Sequence, residues 1–194
     1  MMVLRETVGA DKQDEVLVPS GKGKARLADG HEVELDMASW EFIGDMHVRF
    51  AFDEPDFMVD ASPQDLARLN IANVDEALAL ALANLKRVYG EPTASSLTAG
   101  VMQVHGKSPD LDSSYFLDRK FWRGLLKGNP GGLVVAAPNR GALLYASAGD
   151  RAAVEALKNG VGPLYARSGR QQVSSALYLY KDDKWSVFQP AVKH

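Results

Sequence analysis

His105, Asp110 and Asp112 are the residues whose types and spacing come nearest to reactive chemistry in this chain. An imidazole and two carboxylates, gathered where an apolar run ends and a helical pattern begins, could converge on a hard or borderline metal ion. An ion held there would activate a bound water, so the three residues define a candidate metal set and an alternative reading as a small metal-assisted hydrolase. Each also has a plainer role. Asp112 is placed to cap the helix that follows, Asp110 follows Pro109 in a turn, and His105 ends a strand.

Other reactive patterns are thinner. Ser20-Gly21-Lys22-Gly23-Lys24 lacks the spacing of a phosphate loop and the third glycine of a dinucleotide loop, so it reads as a basic turn. Gly128 to Gly132 follows a helix C-terminus, whose dipole disfavours an anion. No G-x-S-x-G elbow surrounds Ser113-Ser114 or Ser174-Ser175, and Asp53-Glu54-Asp56 reads as a charged surface turn. His31, His47 and His194 suggest no catalytic base. No catalytic residue and no cofactor are expected.

The aromatic residues carry the stronger expectation. Tyr178 and Tyr180 share one face of a strand, with Trp185 on the strand after it, Trp122 on a helix, and Arg167 and Arg170 in the preceding loop. If helices leave that face open, Tyr178, Tyr180 and Trp185 form an amphipathic docking surface with Arg167 and Arg170 beside it, and Trp122 supports a partner contact at the core edge, for another protein or for a second copy of the chain.

Elements must position all of these. Met46 to Phe52 alternates, with Met46, Val48, Phe50 and Phe52 on one face, as a half-buried strand does. Ser62-Pro63-Gln64-Asp65 starts a short helical turn. Asn73-Val74-Asp75-Glu76 resembles a capping box and opens a helix with Leu78, Leu82, Leu85 and Tyr89 on one stripe, reaching Gly90. Ala99 to Gly106 reads as a strand. Asp112 caps a helix striped by Leu117, Phe121 and Leu125, which Gly128 and Pro130 end. Leu133 to Ala137 and Ala142 to Ala146 pair as a hairpin through Pro138-Asn139-Arg140-Gly141. Asp150 caps a third helix, stopped at Asn159-Gly160, and Val173 to Tyr180 pairs with Trp185 to Phe188. Hairpins separated by single helices predict an α+β fold: a mostly antiparallel sheet with about three helices packed on one face. Residues 1–45, with Val16 to Val18, Ala25 to Leu27 and His31 to Leu35 as short strands and Asp29-Gly30 as a turn, form an irregular segment appended to or part of a domain over 46–194.

Composition narrows the function classes. A chain of 194 residues with 46% hydrophobic and 24% charged residues buries about 70% of its unfolded surface, enough for a full core. A net charge of -3 and pI near 5.8 give no general attraction to nucleic acid, which is not an expected partner. The absence of cysteine excludes disulfides, thiol nucleophiles and thiolate metal sites, and it suits a reducing compartment. Met1 to Glu6 turns charged too early for a signal peptide, and Ala77 to Ala83 is too short to span a membrane. A cytoplasmic protein with no membrane partner is expected.

A resemblance adds to this. The order of the helix from Asn73, the strand near Met102, Leu111-Asp112-Ser113-Ser114, Gly132-Leu133-Val134-Val135-Ala136-Ala137-Pro138, and Ala176-Leu177-Tyr178-Leu179-Tyr180 running on to Val187-Phe188 resembles the YtpQ-like family of bacterial domains of unknown function. The likeness covers roughly Met46 to Pro190, and the N-terminal region departs from it. It implies a compact intracellular bacterial domain and brings no catalytic residues with it. The reading that results is a non-enzymatic binding or accessory module acting through protein contact.

Overall fold

A computed structural model describes residues 1–21, 23–26, 29–54 and 57–192. The chain is α+β, and its sheets are antiparallel and largely built from hairpins. The larger sheet has six strands in the order β13 (Lys184–Gln189), β12 (Leu177–Lys181), β10 (Leu133–Asn139), β11 (Ala142–Ser147), β9 (Val101–His105) and β8 (Thr93–Thr98). A second sheet runs β1 (Met2–Glu6), β6 (Met46–Asp53), β5 (Ser39–Glu41) and β2 (Val18–Pro19), with β7 (Met58–Asp60) paired to the far end of β6. β3 (Gly23–Arg26) and β4 (Glu32–Leu35) form a separate hairpin. Of the strand expected from Ala25 to Leu27, Leu27 lies outside the described residues.

The centre of the larger sheet is dry on both faces, which explains why β10 is an unbroken apolar run rather than an alternating one. Val134, Ala136, Leu144, Ala146 and Leu177 face α4 (Arg151–Ala166), through Ala153, Val154, Leu157 and Val161. Leu133, Val135, Ala137, Leu143, Tyr145, Tyr178 and Tyr180 face the opposite way, into the core shared with the second sheet, α2 (Val74–Tyr89) and α3 (Arg119–Leu126). The helices therefore lie on both faces, where the sequence pattern suggested one.

Several local signals act as their chemistry dictates. Ser62 and Asp65 cap each other reciprocally at the start of α1 (Pro63–Arg68), Asn73 accepts the Glu76 amide at α2, and Asp150 accepts the Ala153 amide at α4. Others are overridden. The helix expected from Asp112 is a 3-10 segment, Pro109–Leu117, broken at Leu111, and Asp118 rather than Asp112 caps α3. α4 passes Asn159-Gly160 and continues through Pro163, because Val161 and Tyr165 extend the buried stripe begun by Val154 and Leu157. β8 lies in a stretch with no apolar alternation, being an exposed edge strand, and the strand expected from Ala99 opens instead on a turn with positive φ at Ala99 and Gly100.

Residues 1–45 contribute β1 to β5. Met2, Val3 and Leu4 are buried, and β1 and β5 flank β6 on either side.

Candidate functional site

The expected aromatic docking face is overturned, because the 3-10 segment and α3 cover it. Trp122, Tyr178 and Tyr180 have no exposed surface and Trp185 only 4%. Trp122 Nε1 donates to the carbonyls of Tyr115 and Phe116, both at 3.0 Å. Trp185 stacks on Phe116 with ring centroids 3.9 Å apart. The Tyr180 hydroxyl donates to Asp183 Oδ1 at 2.5 Å, and the Tyr178 hydroxyl donates to Asp45 Oδ1 at 2.9 Å. Arg167 and Arg170 are exposed at the exit of α4, where Arg167 Nε donates to the Pro163 carbonyl.

The candidate metal set is also taken apart. His105 turns its ring nitrogens to Thr93 Oγ1 at 3.4 Å and Ser95 Oγ at 3.2 Å on the neighbouring strand. Asp110 accepts from the Ser108 hydroxyl at 2.8 Å, and buried Asp112 accepts the Gly106 amide at 2.9 Å. Among the described residues no three His, Asp or Glu side chains gather to hold an ion. Of the minor patterns, Lys22, Asp56 and His194 lie outside the described residues, and Asp53 accepts the Tyr89 hydroxyl at 3.1 Å.

An open apolar surface lies elsewhere, around the joint between α1 and α2. α1 ends in a Schellman turn: Asn70, at φ 56°, donates its amide to Ala67, and the Ile71 amide reaches back to the Leu66 carbonyl at 3.0 Å. This closure brings Ile71 beside Leu66, and those two side chains form a wall common to two clefts. The larger, about 360 Å³, is otherwise lined by Trp40, Met37, Ala67 and Val74, with Asp36 at its polar side. The smaller, about 90 Å³, runs under Phe52, Leu69 and Leu80. Leu69 is 52% exposed and Leu80 46%, while Phe52 and its cross-strand partner Val59 are exposed too. Large apolar side chains grouped in this way mark contact surfaces more often than isolated ones do. Carboxylates border the area: Asp36 accepts from Gln64, Asp65 and Glu76 cap the two helices, and Arg68 is tied to Asp65.

The sequence did carry a signal for this surface. Leu69-Asn70-Ile71 after a capped turn is the signature of a left-handed helix stop with its apolar contact, and Leu80 stands off the buried stripe of α2. No family model matches the chain, and neither a curated protein nor a solved structure matches it.

Proposed function

We propose that this chain is a binding or accessory module that engages another protein through the clefts on either side of Leu66 and Ile71. The observation that supports this reading most is the exposure of Phe52, Leu69 and Leu80 around one apolar groove, with the expected aromatic face closed. The fitting partner is a segment with an apolar anchor flanked by basic residues, the latter facing Asp36, Asp65 and Glu76. Within this reading the chain is a YtpQ-like domain working in the cytoplasm, supported by the order of its motifs and the lack of cysteine. Hydrolysis by His105 with Asp110 or Asp112 lacks support, since the three side chains are spent on separate local partners. No helix among the described residues is long and apolar enough to cross a membrane.

The experiment is affinity capture from native extract with wild type, Leu69→Asp and Leu80→Asp, followed by size-exclusion chromatography. The reading expects a specific partner, retained by wild type and lost in both variants. A partner equally retained by all three overturns the location, and a concentration-dependent dimer abolished by Leu80→Asp replaces the foreign partner with a second copy.

A further inference from the structure

Where the two sheets meet, three guanidinium groups come together. Arg5 of β1 stands opposite His47 in the β1–β6 register, and Arg49 lies two residues along β6 on the same face. Arg140 enters from the β10–β11 turn, fixed by its amide bonding to the Gln171 carbonyl at 3.0 Å and by its carbonyl accepting the Ser113 amide at 2.9 Å. Among the described residues its Nη2 meets the Met58 sulfur, at 3.5 Å, and its buried Nε has no acceptor. The Ser113 hydroxyl, in the segment bonded to Arg140, is likewise buried and unpartnered.

Compensation is partial. Arg49 pairs with Asp60 at 3.4 Å, and Arg5 Nη1 donates to the Arg170 carbonyl at 3.2 Å. Among the described residues neither Arg5 nor Arg140 has a carboxylate at ion-pair distance. His47 adds no counter-charge: Arg49 Nε donates to its Nε2 at 2.9 Å, so its Nδ1 carries the proton and donates to Thr7 Oγ1 at 2.8 Å. The Arg5 guanidinium is held below its ordinary pKa by burial first, then by repulsion from Arg140 and from Arg49, with the attraction of Asp60 the smallest influence. Arg49 alone of the three has a carboxylate at ion-pair distance among the described residues, which leaves the partly buried guanidinium groups of Arg5 and Arg140 open to an anion.

We propose that Arg5, Arg49 and Arg140 bind a dianionic phosphoryl group, either inorganic phosphate or a phosphate monoester, at the junction of the two sheets. Such a group carries about -1.5 to -2 near neutral pH and offers three strong acceptor oxygens, more than a single carboxylate can present to two unpaired guanidinium groups. Guanidinium forks suit its oxygens bidentately, and the orphaned Arg140 Nε supplies a donor already freed of other partners. The site is separate from the apolar clefts, and neither proposal requires the other.

The test is calorimetric titration with inorganic phosphate, glycerol 2-phosphate and sodium acetate, at ionic strength held constant with sodium chloride, on wild type, Arg140→Gln and Arg140→Lys. Saturable phosphate binding is expected in wild type, weakened about tenfold or more in Arg140→Gln and clearly weakened in Arg140→Lys, which keeps the charge and loses the fork. Tighter binding of glycerol 2-phosphate than of phosphate identifies an esterified ligand, and the reverse identifies the free ion. A second readout is the melting temperature without phosphate at low salt, which Arg140→Gln leaves unchanged or raises because it relieves repulsion. Equal binding of acetate, equal phosphate affinity in all three proteins, or a lowered melting temperature for Arg140→Gln that phosphate does not affect would each overturn the proposal.

Discussion

His47 shows how much one side chain's surroundings can decide. Burial first, and then the positive charges of Arg49 and Arg5, pull its pKa down to about 4, and its two hydrogen bonds select a neutral tautomer. Between its unfolded value near 6.5 and about 4, the unfolded chain binds a proton that the native imidazole refuses. Stability therefore falls as pH drops through that window, by up to about 3 kcal/mol from this group, and the loss levels off below it. Asp45 works in the opposite direction. Burial holds its carboxyl above the ordinary range despite the Ser174 and Tyr178 hydroxyls, so native protonation offsets part of the loss. Urea unfolding of wild type and His47→Gln from pH 7 to pH 4 isolates the imidazole: the stability difference between them shrinks or reverses on acidification. A constant difference across that range means the ring does not titrate as described. Beside Asp45, Gly44 has φ of 60°, and a Cβ there would stand 2.7 Å from the Tyr178 hydroxyl oxygen. Gly44→Ala should thus cost about 2 to 4 kcal/mol, from backbone strain and overpacking together, read as a lowered urea midpoint with unchanged slope.

At the scale of elements, the α1 stop illustrates how local chemistry shapes a surface. Asn70 tolerates the left-handed region better than most residues, and its turn is what folds Ile71 against Leu66. Asn70→Val should destabilise by about 1 kcal/mol or more, since a β-branched residue is an outlier at positive φ, while Asn70→Gly should be near neutral. Thermal melts of both variants check this. A Val variant as stable as wild type would show that Ile71 is held by packing instead of by the turn. The cap of α3 carries a similar lesson. Asp118 accepts the Phe121 amide at 3.3 Å and pairs with Lys86 of α2 at 2.7 Å while itself almost fully buried. Asp112 had the better sequence context for a cap, but Leu111 leaves helical geometry and Asp112 instead holds the Gly106 amide. Caps were legible where the apolar stripe beyond them was long, as at Asn73 and Asp150, and misplaced where a 3-10 segment intervened.

For the molecule as a whole, the aromatic cluster joins the parts. Phe116 meets Phe42 from beside the second sheet at 6.1 Å, Tyr178 at 5.4 Å and Trp185 at 3.9 Å, and Trp122 packs across Tyr145, Tyr180 and Trp185. Both sheets therefore share one core, to which β1 is tied again by the Ser114 hydroxyl donating to the Met2 carbonyl at 2.9 Å. Trp122→Ala should cost about 3 to 5 kcal/mol, more than Phe121→Ala, whose ring is only partly buried. Near-ultraviolet signals from the tryptophans and far-ultraviolet signals from the backbone should fall at one common midpoint. Separate midpoints, or a Trp122 variant no weaker than the Phe121 one, would show that the sheets do not stand on this cluster.

Periodicity and end chemistry within the sequence alone determined the α+β class, the hairpins of β10 with β11 and β12 with β13, the long helix from Asn73 and the cap at Asp150, because each depends on neighbours within a few residues. Which faces stay wet was decided only by the tertiary structure. Tyr178 and Tyr180 alternate as a half-exposed strand would, yet the 3-10 segment from Pro109 and α3 cover them, and Arg5, Arg49 and Arg140 are scattered along the chain until the two sheets close. Solvent exposure and electrostatic coupling depend on distances in space between residues remote in sequence, and no local pattern encodes those distances.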